Sequence, residues 1–228
     1  MQSNNLRDRL SSLLNQRILV AGNANGTRIQ ALDLSPEDFG GSVYEGCNEY
    51  LNITLASAVK EIHRTYLEVG ADIIITNSFG STPLVLGEYD LSSRSKEISE
   101  AAARNAREMV DLYDSTDHPR FVAGSMGPTT KSISITGGVS WDELADHYYV
   151  QASGLLKGGA DFLLVETSQD TLNVKAALAG IDRLSVETGY EVPIAVQCTI
   201  ESMGTTLGGQ DIEAFYTALA HRNLLWVG

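Results

Sequence analysis

The stretch Ala160-Asp-Phe-Leu-Leu-Val-Glu-Thr167 sets a carboxylate, Glu166, directly behind four apolar residues, Phe162 to Val165. A short apolar run that follows Gly158-Gly159 reads as a strand buried on both faces. A carboxylate at the C-terminal end of such a strand is costly to bury without a counter-charge. The chemistry it suggests is capture of a cation in a cavity; the competing reading is a solvated loop glutamate. Other expected strands also end in polar groups: Asn77-Ser78-Phe79 follows Asp72 to Thr76, Ser125 follows Phe121 to Gly124, and Gln197-Cys198-Thr199 follows Val192 to Val196. Behind Arg17-Ile-Leu-Val-Ala21, the first expected strand, Gly22-Asn23-Ala-Asn25-Gly26-Thr27 can either offer backbone N–H groups to an anion at a helix start or form a tight turn.

These residues need a scaffold that brings strand ends together. Gly70-Ala71-Asp72 and Gly159-Ala160-Asp161 each follow a helical pattern and precede an apolar strand, so one helix–strand unit occurs twice. Strands are expected to begin near residues 17, 72, 121, 161, 192 and 223, separated by helices over 52–69, 95–113, 140–157, 171–188 and 211–219. Leu6, Leu10, Leu13 and Leu14 predict an amphipathic helix ahead of them. Thr27 is read as the start of a short helix and Asn52 or Thr54 as a helix cap. Ser140 with Glu143 is a capping box, and Asp211 caps the last helix. Alternating strands and helices predict a parallel sheet with right-handed crossovers. Six strands could form an open doubly wound sheet. The polar strand ends point instead to a TIM-type (β/α) barrel, in which ligands bind at the C-terminal ends of the strands. The expectation is one domain over 1–228, a barrel truncated after strand six.

The bulk numbers narrow the partners. A net charge of −13 over 228 residues disfavours nucleic acid and anionic membrane surfaces. No segment has the roughly 20 apolar residues needed to cross a bilayer, and the N-terminus lacks the apolar core of a signal peptide, so the expected location is cytoplasmic. Cys47 and Cys198 show no ligand spacing and read as free thiols. His63, His118, His147 and His221 are scattered. An incomplete barrel would leave sheet edges open, which invites self-association or a barrel-completing chain.

Several segments together resemble the homocysteine S-methyltransferase family, most closely its cobalamin-dependent methionine synthase branch. They are Gly26-Thr27-Arg-Ile-Gln30, Gly46-Cys-Asn48-Glu49-Tyr-Leu51, Ile62-His63 through Asp72, Thr76-Asn77-Ser-Phe79, Gly127-Pro128-Thr129, Glu166-Thr167 through Ala177, and Gly209-Gln210 through Tyr216. The resemblance implies a barrel that binds a thiol amino acid, homocysteine, and methylates it, with zinc to activate the thiol and methylcobalamin on a corrinoid protein or module as donor. It assigns Glu166 to the substrate ammonium and Thr76 to the neighbourhood of the substrate carboxylate. Gly22, Asn23 and Ser78 join them as substrate-binding positions. The family's three zinc-binding cysteines have no counterpart in this chain, so no metal ligand is assigned. The family aspartate that helps hold the ammonium is replaced by Gly22, which removes a charge-assisted contact of about 1.5–3 kcal/mol. The alternative reading is a divergent, non-catalytic barrel fragment that binds a small amino acid or a partner chain.

Overall fold

In the computed structural model, described for residues 2–22 and 24–228 with side chains from Leu6 onward, five parallel strands form one sheet in the order β1-β2-β3-β4-β5. They are β1 (Ala21–Gly22), β2 (Ile73–Ile75), β3 (Phe121–Met126), β4 (Phe162–Ser168) and β5 (Ile194–Cys198). The helices are α1 (Gln2–Leu14), α2 (Asn25–Gln30), α3 (Leu51–Thr54), α4 (Ala56–Glu68), α5 (Pro83–Leu86), α6 (Ser95–Tyr113), α7 (Trp141–Lys157), α8 (Thr171–Thr188) and α9 (Ile212–Leu219).

The repeated Gly-Ala-Asp unit has one job in both places. Gly70 and Gly159 both adopt φ of +99°, a backbone that L side chains rarely take, and end their helices there. Asp72 and Asp161 then open the next strand and reach back to the neighbouring chain segment. Asp72 accepts from the Val20 N–H at 2.8 Å and Asp161 from the Val122 N–H at 2.7 Å. Each carboxylate also meets arginine: Arg17 and Arg120 at Asp72, Arg107 at Asp161. Burial opposes ionisation of Asp72, but its hydrogen bonds and the arginine charges outweigh that and hold its carboxyl below the usual range. Strand register on the N-terminal side of the sheet is therefore pinned by charged side chains, which leaves the C-terminal side for ligands.

Side-chain alternation splits the core into two layers. Ile73, Ile75, Phe121, Ala123, Phe162, Leu164 and Ala195 form the inner face, and Leu6 and Leu10 of α1 pack against it. Arg9 stacks on Phe121 at 5.3 Å, and Arg7 donates to the carbonyls of Leu224 and Asn223. The outer face, with Leu163, Val165, Ile194 and Val196, meets α7, α8 and α9. On its other side α7 packs closely on α6, because glycines of α7 and its C-terminal cap face that helix. A Cβ on Gly154 would lie 2.5 Å from the Lys96 carbonyl oxygen, and one on Gly158 would lie 2.3 Å from that of Glu100.

Local departures from the sequence reading have physical causes. The first strand is Ala21–Gly22 rather than 17–21, and Ile18 is 86% exposed; Ile18 and Val20 gain no apolar neighbour to reward an extended pairing. The helix after it begins at Asn25, not Thr27, because the Asn25 side chain is buried and donates to the Ile75 carbonyl. The 52–69 helix breaks at Leu55 into α3 and α4, so neither Asn52 nor Thr54 caps it; the Asn52 amide is used by the carbonyls of Glu49 and Asn77 instead. The capping box at Ser140 and the cap at Asp211 are present. Residues 225–228 run beside β5 in the place expected for a sixth strand. There Leu225 N–H donates to Ile194, Val196 to Trp226, Cys198 to Gly228 and Gly228 to Val196. No helix among the described residues is long and apolar enough to cross a membrane.

Candidate active site

At the C-terminal ends of β1 to β4 lies a cavity of about 290 Å³, lined by Asn25, Gly26, Asn48, Glu49, Thr76, Asn77, Phe79, Ser125, Glu166 and Thr167. An apolar hollow under the loop 128–136 is lined mainly by hydroxyls and aliphatic groups, with Asp170 the one carboxylate among its described lining residues. Asp170 is already committed. It accepts from Ser132, Ser134 and the Leu172 N–H, and although burial opposes its ionisation these bonds hold its carboxyl below the usual range. The first cavity, with two acidic side chains, is the candidate site.

Glu166 is only 5% exposed. It continues the inward parity of Phe162 and Leu164, so its carboxylate faces the mouth rather than the helices. The ladder between β4 and β5 shifts register between Val165 and Ser168, and Thr167 has φ of +55°. A β-branched residue in the left-handed region is a strained position. A bulge of this kind re-aims the residue beside it, and such bulges gather next to active sites. The Ser125 hydroxyl donates to Glu166 Oε1 at 2.6 Å.

Glu49 is the carboxylate that sequence reasoning missed as a ligand group. It sits in a 3-10 turn over Asn48–Tyr50, which folds across the end of β2, and its Oε1 accepts from the Gly80 N–H at 2.8 Å. Part of the residue reaches the surface, yet its carboxyl is enclosed, and burial raises its pKa against the pull of that hydrogen bond. The signal for it was the motif Gly46-Cys-Asn-Glu49. What the sequence could not show is that a loop so far from Glu166 closes over the same cavity.

The remaining predicted positions separate. Thr76 lines the cavity, but its hydroxyl accepts from the Ser125 N–H at 2.9 Å and shares a hydrogen with Ser78 Oγ at 2.6 Å. Ser78 lies behind the wall, donating to the Ser125 carbonyl at 2.8 Å. Asn77 does reach the cavity and donates to the Asn48 carbonyl at 2.7 Å. Gly22 faces α4 instead: a Cβ there would lie 2.6 Å from Tyr66 Cγ. Asn23 lies outside the described residues. Phe79, 41% exposed, stands over Gly127 at the rim.

Among the described residues, no group of three or more His, Cys, Asp and Glu side chains is placed to hold a metal ion. Cys47 is packed with Tyr50, Leu86, Leu91 and Ile98, where burial pushes its thiol up to about 12. Cys198 ends β5 with its thiol also raised by burial. Neither is a ready thiolate.

A mouth with two enclosed carboxylates and a parallel α/β scaffold can be compared with known proteins. The fold is that of the homocysteine methyltransferase MmuM from Escherichia coli. The metallated form superposes with a TM-score of 0.77 at 20% identity over 96% of this chain and 76% of that one, and the apo form with 0.69 at 19% over 94% and 73%. The chain is 42% identical over 210 residues to methionine synthase of Mycobacterium tuberculosis and 41% identical to that of Mycobacterium leprae. These matches take in 92% of this chain, which spans about 17% of the length of each of those relatives. The profile of the homocysteine S-methyltransferase family matches residues 19–228, and the chain belongs to that family.

Proposed function

We propose that this domain binds homocysteine at the barrel mouth and presents its thiol for methylation, as the acceptor site of a methionine-forming enzyme. The observation that carries the reading is that Glu49 and Glu166, from distant parts of the chain, line one enclosed cavity at the strand ends. An acidic side chain at such a mouth favours a cation there, and the ammonium of an amino acid is one; burial raises the Glu49 pKa, so an approaching cation also favours the ionised form of Glu49. Asn25, Asn48 and Asn77 add neutral polar groups of the kind that fix a ligand's orientation. Phe79 offers an apolar surface at the rim for the side-chain methylenes.

Methyl transfer to such a ligand forms one bond and breaks one. The homocysteine sulfur, having lost its proton, attacks the methyl carbon, and the donor keeps the electron pair of the broken bond. The family resemblance supplies a corrinoid-borne methyl group as donor, carried on another module. It also implies zinc, which would lower the thiol pKa. The donors described here do not make the several-ligand, sulfur-rich set that zinc prefers, so no step is drawn through a metal. This chain's own part is to bind the acceptor, neutralise its ammonium and hold it still.

Calorimetric titration separates this reading from a nonspecific hollow. Homocysteine should bind measurably, and 4-mercaptobutyrate, the same chain without the ammonium, should bind at least about tenfold more weakly, the loss expected for one charged hydrogen bond. Equal affinity for the two would refute the reading.

A further inference from the structure

The bulge that aims Glu166 into the cavity lies just past the last β3–β4 pair. Pairing between β3 and β4 ends at Met126 with Val165. Glu166 is the next residue; strand parity turns it inward, but its neighbour Thr167 is left-handed and the ladder to β5 shifts register there, so parity alone does not fix its side-chain rotamer. A long flexible acid so placed must be held from the side if it is to meet a ligand preformed. We propose that Ser125 is the positioning residue that does this, and that Thr76, Ser78 and Gln151 form the buried frame that holds Ser125. This rests on the reading of Glu166 as the ammonium-binding carboxylate.

Three features set Ser125 apart from an incidental neighbour. Its hydroxyl donates to Glu166 at 2.6 Å from a residue that is 1% exposed, so water does not compete for the bond. Its backbone is taken up by side chains instead of by an ordinary strand partner alone. The N–H donates to Thr76 Oγ at 2.9 Å, and the carbonyl accepts from Ser78 Oγ at 2.8 Å and Gln151 Nε2 at 3.3 Å. The frame is itself anchored away from the cavity: Gln151 Nε2 also donates to the Ser78 carbonyl at 2.7 Å, and Ser81 Oγ shares a hydrogen with Ser99 Oγ at 2.8 Å. Hydroxyls at 76 and 78, which by residue type could have met the ligand, face this inner frame. Second-layer groups that lock a binding side chain give it the productive geometry before the ligand arrives. The account explains why a serine and an amide are buried together behind one carboxylate when apolar residues would fill the space more cheaply.

The test is titration of homocysteine and of 4-mercaptobutyrate into the full chain and into Ser125→Ala and Ser125→Thr, with the melting temperature of each. Ser125→Ala should bind homocysteine severalfold and up to about tenfold more weakly, the cost of ordering one long side chain on binding, and should bind 4-mercaptobutyrate as the parent does. Ser125→Thr, which keeps the hydroxyl, should restore most of the preference for the amine-bearing ligand. If Ser125→Ala keeps the parent's preference, or weakens both ligands equally, Ser125 is structural and the inference fails while the reading of the cavity stands. If the parent protein shows no preference, the functional reading fails and this inference with it. Should Ser125→Ala not fold, Ser125→Cys has nearly the same shape and only a weak donor, and must show the same loss of preference.

Discussion

Position 22 gives the sharpest perturbation, because family resemblance and structure disagree about it. By resemblance, Gly22→Asp restores a carboxylate to the ammonium site and tightens homocysteine binding by the value of one charge-assisted contact. The structure predicts otherwise. The added Cβ would sit 2.6 Å from Tyr66 Cγ and 2.7 Å from Tyr66 Cβ, against about 3.5–4.0 Å for a comfortable carbon contact. Those are the stem atoms of Tyr66, which cannot swing aside as a side-chain tip would, and the Tyr66 hydroxyl is tied to the Ala24 N–H. Forced overpacking of this kind costs about 1–3 kcal/mol. For a chain of this size that lowers the melting temperature by about 2–12 °C, at about 2–4 °C per kcal/mol. Thermal unfolding by circular dichroism and calorimetric titration of homocysteine read both quantities. The expected result is a less stable protein with no gain in affinity, and a smaller stability loss when Gly22→Asp is placed on Tyr66→Ala. Tighter homocysteine binding by Gly22→Asp at an unchanged melting temperature would refute the placement of this residue.

Glu49→Gln keeps an acceptor for the Gly80 N–H but removes the second carboxylate, so homocysteine should bind about tenfold more weakly at nearly unchanged stability; equal affinity in titration would take Glu49 out of the site. His63 is buried with its pKa lowered to about 4 from 6.5 by burial, and its Nε2 has no partner among the described residues. The unfolded chain therefore binds a proton at higher pH than the fold does. Stability from this group is complete above about pH 6.5 and falls as pH drops toward about 4, by about 3 kcal/mol in total; urea unfolding across that window should show a shallower decline for His63→Gln. Gly158→Ala drives a methyl group to 2.3 Å from the Glu100 carbonyl oxygen and 2.7 Å from Ala103 Cβ. It should separate α7 from α6 at a cost of about 1–3 kcal/mol, and an unchanged denaturation midpoint would contradict the close packing.

How far the sequence could be read follows from what kind of interaction decides each feature. The strands at 73–75, 121–126, 162–168 and 194–198 were legible because they are buried on both faces and so are nearly continuous in apolar residues. The first strand was overextended in the reading because Ile18 and Val20 have strand-forming side chains, but both are exposed and gain little by pairing. Glu166 was legible because a carboxylate closing an apolar run is a local anomaly. Glu49 was not, since its place depends on where a loop more than a hundred residues away closes. The family resemblance set Thr76 near the substrate carboxylate and Ser78 among the substrate-binding positions. In the structure their hydroxyls hydrogen-bond the Ser125 backbone, a tertiary contact that neither residue type nor resemblance encodes. The direction of residue 22 depends on Tyr66, a contact between β1 and α4 that no local pattern encodes.

The account's central claim is that Glu166 holds the ammonium of a thiol amino acid at the barrel mouth. The direct measurement is calorimetric titration of homocysteine into the parent protein and Glu166→Gln in parallel, with melting temperatures recorded for both. Truncating the charge of a buried ligand contact costs about 2–5 kcal/mol, so the account predicts binding by the parent and a loss of thirtyfold or more, on the order of that energy, in a variant that melts as the parent does. Equal homocysteine affinity in the two proteins would contradict it.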